Sequence, residues 1–302
     1  MTGAQASNPD EALRYCRDLT RRRARNFYYG LKLLPEPQRW ALCAVYAWMR
    51  RADDLADGAS RVDIEVARRG IADFRRATAD IFDGGVVGDD AVLIGLREVT
   101  ALYPVRVEHF HAMLDGQLDD VGRCRYETFE DLRDYCYRVA STVGLICITI
   151  WGYRDDRAPE LAVDRGIAFQ LTNVLRDFVE DHDAGRIYLP AEDFRRHGLE
   201  PAALRRWADG PRCEQFMIEQ ISRAESYYES SQPLDEMINP TCVPTLWAMT
   251  RIYHGLLEKM RKNPAQLVSG PRVRLTGTRK AMIALRARWR ARGTRRPGGV
   301  GG

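Results

Sequence analysis

The chain of 302 residues is predicted to be a single all-α domain, a helical bundle. Three observations predict it. Nearly every segment carries apolar residues at helical spacing, no alternating run bounded by turn dipeptides suggests a sheet, and no linker divides the chain before its basic end. Asn8-Pro9 reads as an N-cap with proline at the first helical position, opening a helix expected through Leu33. Pro35 and Pro37 break the chain before a second helix over 36–57. Further helices are expected over 61–82, 89–102, 104–120, 128–151 and 158–182. Gly84-Gly85, Pro104, Gly122, Gly152 and Gly185 mark the breaks between them. After the loop bearing IYLP come helices near 191–197, 201–208, 212–232, 239–263 and 277–292. The closing GGVGG, 298–302, is expected to take no fixed fold.

Composition excludes several classes. Seven scattered cysteines with no CxxC argue against a disulfide framework or zinc cluster and lead to an expected cytoplasmic location. The N-terminus MTGAQASNPDEAL has no apolar stretch resembling a signal peptide. The longest apolar run, Val143 to Trp151, falls far short of the roughly 18 residues that span a bilayer. The net charge of +4 is uneven: residues 272–302 hold ten Lys and Arg with no Asp or Glu, and the remainder is acidic. An acidic body with a basic tail is not the pattern of a nucleic-acid binder, and no nucleic-acid partner is expected. The five histidines show no ligand spacing and are assigned no role.

Two helices repeat one charge geometry. At about 100° per residue, Tyr46, Arg50, Asp53 and Asp57 project at about 0°, 40°, −20° and 20°, a single stripe. Gln170, Asn173, Asp177 and Asp181 project at about 0°, −60°, −20° and 20°, a second one. Carboxylates four apart repel by a few tenths of a kcal/mol. Two such pairs facing each other inside a bundle require cations between them. Hard oxygen donors suit Mg²⁺, which shares its shell with water and substrate phosphates. The nearby Arg50, Arg51, Arg176 and Arg186 suit phosphate oxygens instead. A lone Asp-xxx-Asp is ordinarily a solvated face; the matched pair of stripes argues against that here. An EF-hand fails because Leu55 and Ile64 stand where loop ligands belong.

Four segments then carry a resemblance. ARNFYYGLKLLP (24–35), YAWMRRADDLAD (46–57), YCYRVASTVG (135–144) and AFQLTNVLRDFVEDHDAGRIYLP (168–190) look like the squalene/phytoene synthase family, in its order and spacing over about residues 10–265. The resemblance implies an isoprenoid-synthase bundle around a central apolar cavity, and an Mg²⁺-dependent head-to-head joining of two prenyl diphosphates. It assigns Asp53, Asp57, Asn173, Asp177 and Asp181 to two or three Mg²⁺ ions. It assigns Arg23, Ala24, Arg25, Asn26, Tyr46, Arg50, Gln170, Arg176 and Tyr253 to substrate contacts. Tyr135 matches a cavity-lining tyrosine counted, with the four aspartates, among the catalytic residues. Phe27, Val139, Val143, Leu145, Ile146 and Leu171 are candidates for the apolar wall. The family's common VAGTVG reads VASTVG here, with Ser141 for glycine.

Within the family the sequence looks most similar to bacterial hopanoid-pathway presqualene diphosphate synthases, which join two farnesyl diphosphates. Phytoene synthase, joining two geranylgeranyl diphosphates, is the alternative. NADPH enters only if the reaction continues to squalene. A non-catalytic relative should have lost metal-binding aspartates, which are intact here, and head-to-tail prenyl synthases differ around YCYRVASTVG and GRIYLP. The expected catalytic domain is 1–271, followed by a basic helix and tail over 272–302. Two readings of that tail stay open: a last helix packed on the bundle, or a basic amphipathic helix with Met282, Leu285 and Trp289 on one side, resting on the inner face of an anionic membrane.

Overall fold

A computed structural model describes residues 4–24, 28, 30–57, 64–122 and 125–293, with backbone alone for residues 57 and 291–293. Arg25, Asn26, Phe27 and the GGVGG end lie outside the described residues. The predicted class holds: the described residues form helices and no strand.

The helices are α1 (Pro9–Arg23), α2 (Gln38–Asp57), α3 (Ile64–Phe82), α4 (Ala91–Leu102), α5 (Val107–Gly122), α6 (Phe129–Cys136), α7 (Thr142–Trp151) and α8 (Ala158–Asp183). Then follow α9 (Ala191–Arg196), α10 (Pro201–Arg205), α11 (Gly210–Ser230), α12 (Leu234–Met237), α13 (Val243–Lys262), α14 (Gln266–Ser269) and α15 (Gly277–Gly293). Asn8 caps α1 as expected, its Oδ1 accepting from the Glu11 amide at 3.0 Å. The helix stops at Arg23 rather than Leu33. The Ala24 amide still donates to the Thr20 carbonyl, but Ala24 sits at φ −84°, ψ 4°, outside the helical basin.

The helix expected over 128–151 is interrupted. Thr128 opens α6 with a reciprocal capping box against Asp131. Tyr137–Ser141 then form a π-helical turn before α7. That turn is held between α5 and α8, each of which reaches it through a glycine. A Cβ on Gly116 would lie 2.5 Å from Val139 Cγ1, and one on Gly166 would lie 2.5 Å from Ser141 Cα. The Ser141 hydroxyl donates to the Val163 carbonyl of α8 at 2.7 Å. The extra residue per turn is thus fixed by tertiary contact on both sides, which periodicity does not register.

Most buried apolar side chains fall into two cores, beside a small third cluster of Ala6, Ala12, Ala91 and Ile94. One gathers α1 to α5 and α7 around Trp48, whose ring meets Phe74 at 5.2 Å and Phe110 at 4.9 Å. The other gathers α6, α8, α11, α13 and α15 around Tyr126, Phe216 and Met217. Helix α2 belongs to the first; α8 begins in the first with Ala158 and Ala162 and runs on into the second from Ile167, and α7 packs against both helices. Val143, Leu145 and Ile146 fall in the first core, and Val139 and Leu171 in the second, so these wall candidates straddle the seam. The segment after residue 271 is part of the second core, through Val273, Leu275, Ile283 and Ala287.

Candidate active site

Each aspartate helix is anchored by its apolar side. Ala52 and Ala56 are buried on α2, which leaves Arg50, Asp53 and Asp54 half-buried. Arg50 Nη1 lies 3.8 Å from Asp53 Oδ2, and Nη2 donates to Asp54. Asp54, about 80° round the helix from the stripe, is therefore the closer partner of Arg50. Arg50 Nε is buried with no hydrogen-bond partner among the described residues. Tyr46 has its pKa raised by burial, an effect that the charges of Arg50 and Arg23 oppose; this places Arg23 with the α2 set. Arg23 itself is exposed and Ala24 buried. The side chain of Asp57 lies outside the described residues, as do Arg25 and Asn26.

On α8, Leu171, Val174, Leu175 and Phe178 are buried in the second core, which turns the polar stripe away from it. Arg176 grips Asp177 with two bonds, Nε to Oδ1 at 2.7 Å and Nη2 to Oδ2 at 2.6 Å. Arg272 reaches the same carboxylate from the start of the basic tail, its Nε 2.7 Å from Oδ1, and its Nη1 lies 3.6 Å from Glu180 Oε2. Arg186 Nη2 donates to Asp181 Oδ1 at 3.2 Å. Burial raises the Asp181 pKa, against the pull of Arg186 and with a further push from Asp177. Asn173 Nδ2 donates to Gln170 Oε1 at 3.2 Å. Tyr253 stacks on Phe169 at 4.6 Å, and burial raises its pKa.

A third group was not expected as a unit. Asp120, in the last turn of α5, accepts from Tyr135 Oη at 3.0 Å and from Tyr188 Oη at 2.7 Å. The rings of Tyr126, Tyr135 and Tyr188 pack on one another at 5.2 to 5.7 Å. Burial pushes the Asp120 carboxyl up to about 6, although both tyrosines and Arg186 oppose the shift, while the charge of Asp181 adds to it. Burial likewise raises Tyr135 and Tyr188. The cluster thus adjoins the α8 set.

The structure brings Gln170, Asn173, Arg176, Asp177, Asp181 and Tyr253 together, and Arg23 with Tyr46, Arg50 and Asp53; the two sets are linked through α7. Sequence reasoning missed Asp120, Tyr188 and Arg272. Tyr188 lay inside the quoted GRIYLP, and Arg272 is the first residue of the acid-free tail. Among the described residues no three His, Cys, Asp or Glu side chains converge as a metal cluster; the described aspartates of both stripes are engaged by arginines instead. The donor set nevertheless fits a hard divalent cation. It is carboxylate and amide oxygen, and the buried Asn173 Oδ1 has no hydrogen-bond partner among the described residues, which leaves it able to accept from a donor or ligate a cation.

A profile of the family described as "Squalene/phytoene synthase" matches residues 20–279. The 15-cis-phytoene synthase of Synechococcus elongatus is 35% identical over 265 residues, 84% of this chain and 85% of that protein. The phytoene synthase of Mycobacterium tuberculosis is 34% identical over 282 residues, 92% of this chain and 91% of that protein. Among solved structures, a dehydrosqualene synthase in complex with ligand superposes with a TM-score of 0.79 at 29% identity, covering 94% of this chain and 98% of that one. The squalene synthase HpnC of Alicyclobacillus acidocaldarius gives 0.76 at 26% identity, covering 84% and 94%. With a family match across most of its length, an all-α bundle, and arginine-paired aspartates on two helices, the chain belongs to the squalene/phytoene synthase family, the prenyltransferases that join two prenyl diphosphates head to head.

Proposed function

We propose that this prenyltransferase joins two farnesyl diphosphates, C1 to C1′, and releases presqualene diphosphate. The observation that carries the reaction type is the pairing of aspartates with arginines on two helices, α2 and α8. The C15 reading is supported by the ARNFYYGLKLLP opening and by the names of the two solved relatives, a dehydrosqualene synthase and a squalene synthase. The phytoene reading has its own support in curated relatives named phytoene synthase at 30 to 35% identity.

Asp53, Asp57, Asn173, Asp177 and Asp181 would hold Mg²⁺. Bound there, Mg²⁺ supplies neutralisation of the charge that accumulates on a leaving diphosphate. Arg23, Arg50, Arg176 and Arg272 donate N–H bonds to diphosphate oxygens, bidentately where the guanidinium fork allows, and Ala24, Arg25, Asn26, Tyr46, Gln170 and Tyr253 complete the substrate contacts. The first substrate ionises to an allylic carbocation, which Val139, Val143, Leu145, Ile146 and Leu171 shield from water. The double bond of the second substrate attacks that cation. The electrons of a C–H bond then close the cyclopropane ring, and the proton leaves. Tyr135 Oη accepts it while its own proton passes to Asp120 Oδ2, and Tyr188 holds the other carboxylate oxygen. The catalytic unit on this reading extends past residue 271 to include Arg272.

Incubation with labelled C15 and C20 diphosphates and Mg²⁺, with and without NADPH, tests the substrate. Presqualene diphosphate from C15, unchanged by NADPH, is the expected product; product from C20 alone gives the phytoene reading. The proton relay makes a separate prediction. Asp120 must be ionised to accept, and its pKa lies near 6, so turnover is expected to fall as pH drops through about 6. Asp120→Asn should lose that acid limb at much reduced turnover. The folded-state pKa is raised, so the ionised carboxylate is a cost to the fold, absent below its ordinary value and complete above about pH 6. Asp120→Asn should therefore not lower the unfolding midpoint at pH 8, and a pH–rate profile that keeps its limb in the variant would exclude the relay.

A further inference from the structure

Helix α15 has two unlike faces. Ile283 and Ala287 are buried in the second core, and Arg290 lies over the Trp247 ring at 4.8 Å. On the opposite face Met282, Leu285 and Trp289 are 51%, 60% and 72% exposed, within a sector of about 60°. The other exposed large apolar side chains are scattered over four separate places in the chain, so this is the one helix face among the described residues with three of them in line. A protein surface rarely leaves such a stripe without a use.

Its surroundings are cationic. No acidic residue follows position 271, and Arg286 and Arg288, both exposed, flank the stripe. A groove of about 650 Å³ runs between α13 and α15, walled by Trp247, Met282 and Trp289 and edged by Arg251, Arg286 and Arg290. Its one carboxylate, Glu258, is engaged by Arg279 at 2.6 Å. No described helix is long and apolar enough to cross a membrane, so a lipid surface would be met from outside. A second copy of the chain is a poor occupant, because a two-fold pairing through this face sets arginine against arginine.

We propose that this face of α15 docks the protein on an anionic bilayer, with Met282, Leu285 and Trp289 entering the interfacial layer and the arginines meeting headgroup phosphates. The inner side of the same helix covers an apolar pocket lined by Leu33, Ala248, Ile252, Lys280 and Ile283. Ile252 and Lys280 also line the neighbouring pocket that holds Arg176, Arg272 and Arg274. A prenyl chain leaving the bilayer therefore has an apolar route under α15 to the arginines of Asp177, a corollary that rests on the proposed function while the docking does not.

Co-sedimentation with vesicles of phosphatidylcholine, with and without phosphatidylglycerol, tests the docking on the full chain. Binding is expected only to the anionic vesicles and should weaken with salt. Leu285→Glu and Trp289→Glu should each lower the partition by about tenfold or more, at unchanged melting temperature and unchanged turnover in vesicle-free buffer. Equal partition of wild type and both variants overturns the proposal. So does equal binding to neutral vesicles, or dimerisation through this face, seen in sedimentation velocity as a dimer that both variants abolish. Soluble glycerol phosphate should not compete; if it displaced the protein from vesicles, the face would be a phosphate site rather than a lipid one.

Discussion

Asp177→Asn is expected to lower turnover about a thousandfold or more, equivalent to about 4 kcal/mol of barrier, with the fold intact. Asp177 is the most heavily engaged carboxylate of the proposed site, gripped by Arg176 from its own helix and by Arg272 from the chain's basic end. Removing its charge withdraws a ligand from the proposed cation and strands two guanidiniums beside each other. A stability cost should accompany it. The Arg272 side chain is about a third exposed and its pair contributes little, but Arg176 and Asp177 are only 18% and 19% exposed, and removing one charge of a sheltered pair leaves the other uncompensated. Product formation under saturating substrate and Mg²⁺, with circular dichroism as the control for folding, measures both. Wild-type turnover in the variant would remove Asp177 from the site.

Gly166→Ala is expected to have the largest effect on stability, about 3 kcal/mol or more. The new Cβ would stand 2.5 Å from Ser141 Cα, 2.7 Å from its nitrogen and 2.8 Å from its hydroxyl oxygen. Most of that is backbone, and it has no room to retreat. The Ser141 hydroxyl is bonded to the Val163 carbonyl on the same helix as Gly166. On the far side Gly116 brings α5 equally close to Val139. The clash therefore has to part α8 from the π-turn, or the turn from α5. Gly88→Ala is the matched control, because a Cβ there meets nothing within 4 Å. Urea denaturation of the two variants should differ by most of the predicted loss; equal midpoints would mean that the π-turn yields freely.

The parts of this fold legible in the sequence are those fixed by neighbours along the chain. The Asn8-Pro9 start of α1, the proline and glycine breaks and the two Asp-xxx-Asp stripes all express local geometry. The stop at Ala24 and the π-turn are tertiary outcomes, set where separate helices approach. The short helices α12 and α14 were missed because one turn carries no periodicity to detect. In the site, Asp53 and Asp177 stood out because carboxylate spacing on one helix is countable. Asp120, Tyr135 and Tyr188 come from three elements, and no spacing announces that two tyrosines share one carboxylate. Tyr135 and Tyr253 were named through the family resemblance, not through any pattern of their own. Arg272 was placed in a tail on composition alone, although it reaches Asp177.

The arginine–aspartate pairs of α2 and α8 also bear on how the site is loaded. On the proposed reading, each described carboxylate meant for a cation has a guanidinium within 4 Å, and Arg50, Arg176 and Arg272, three of the guanidiniums meant for diphosphate, each hold a carboxylate. Neither newcomer gains much alone: a cation must evict an arginine that then has no anion, and a diphosphate must evict an aspartate that then has no cation. Arriving together, they make a double exchange in which every charge is matched before and after. On that reading, binding of the two would be coupled through the salt bridges themselves, as an exchange of counter-ions.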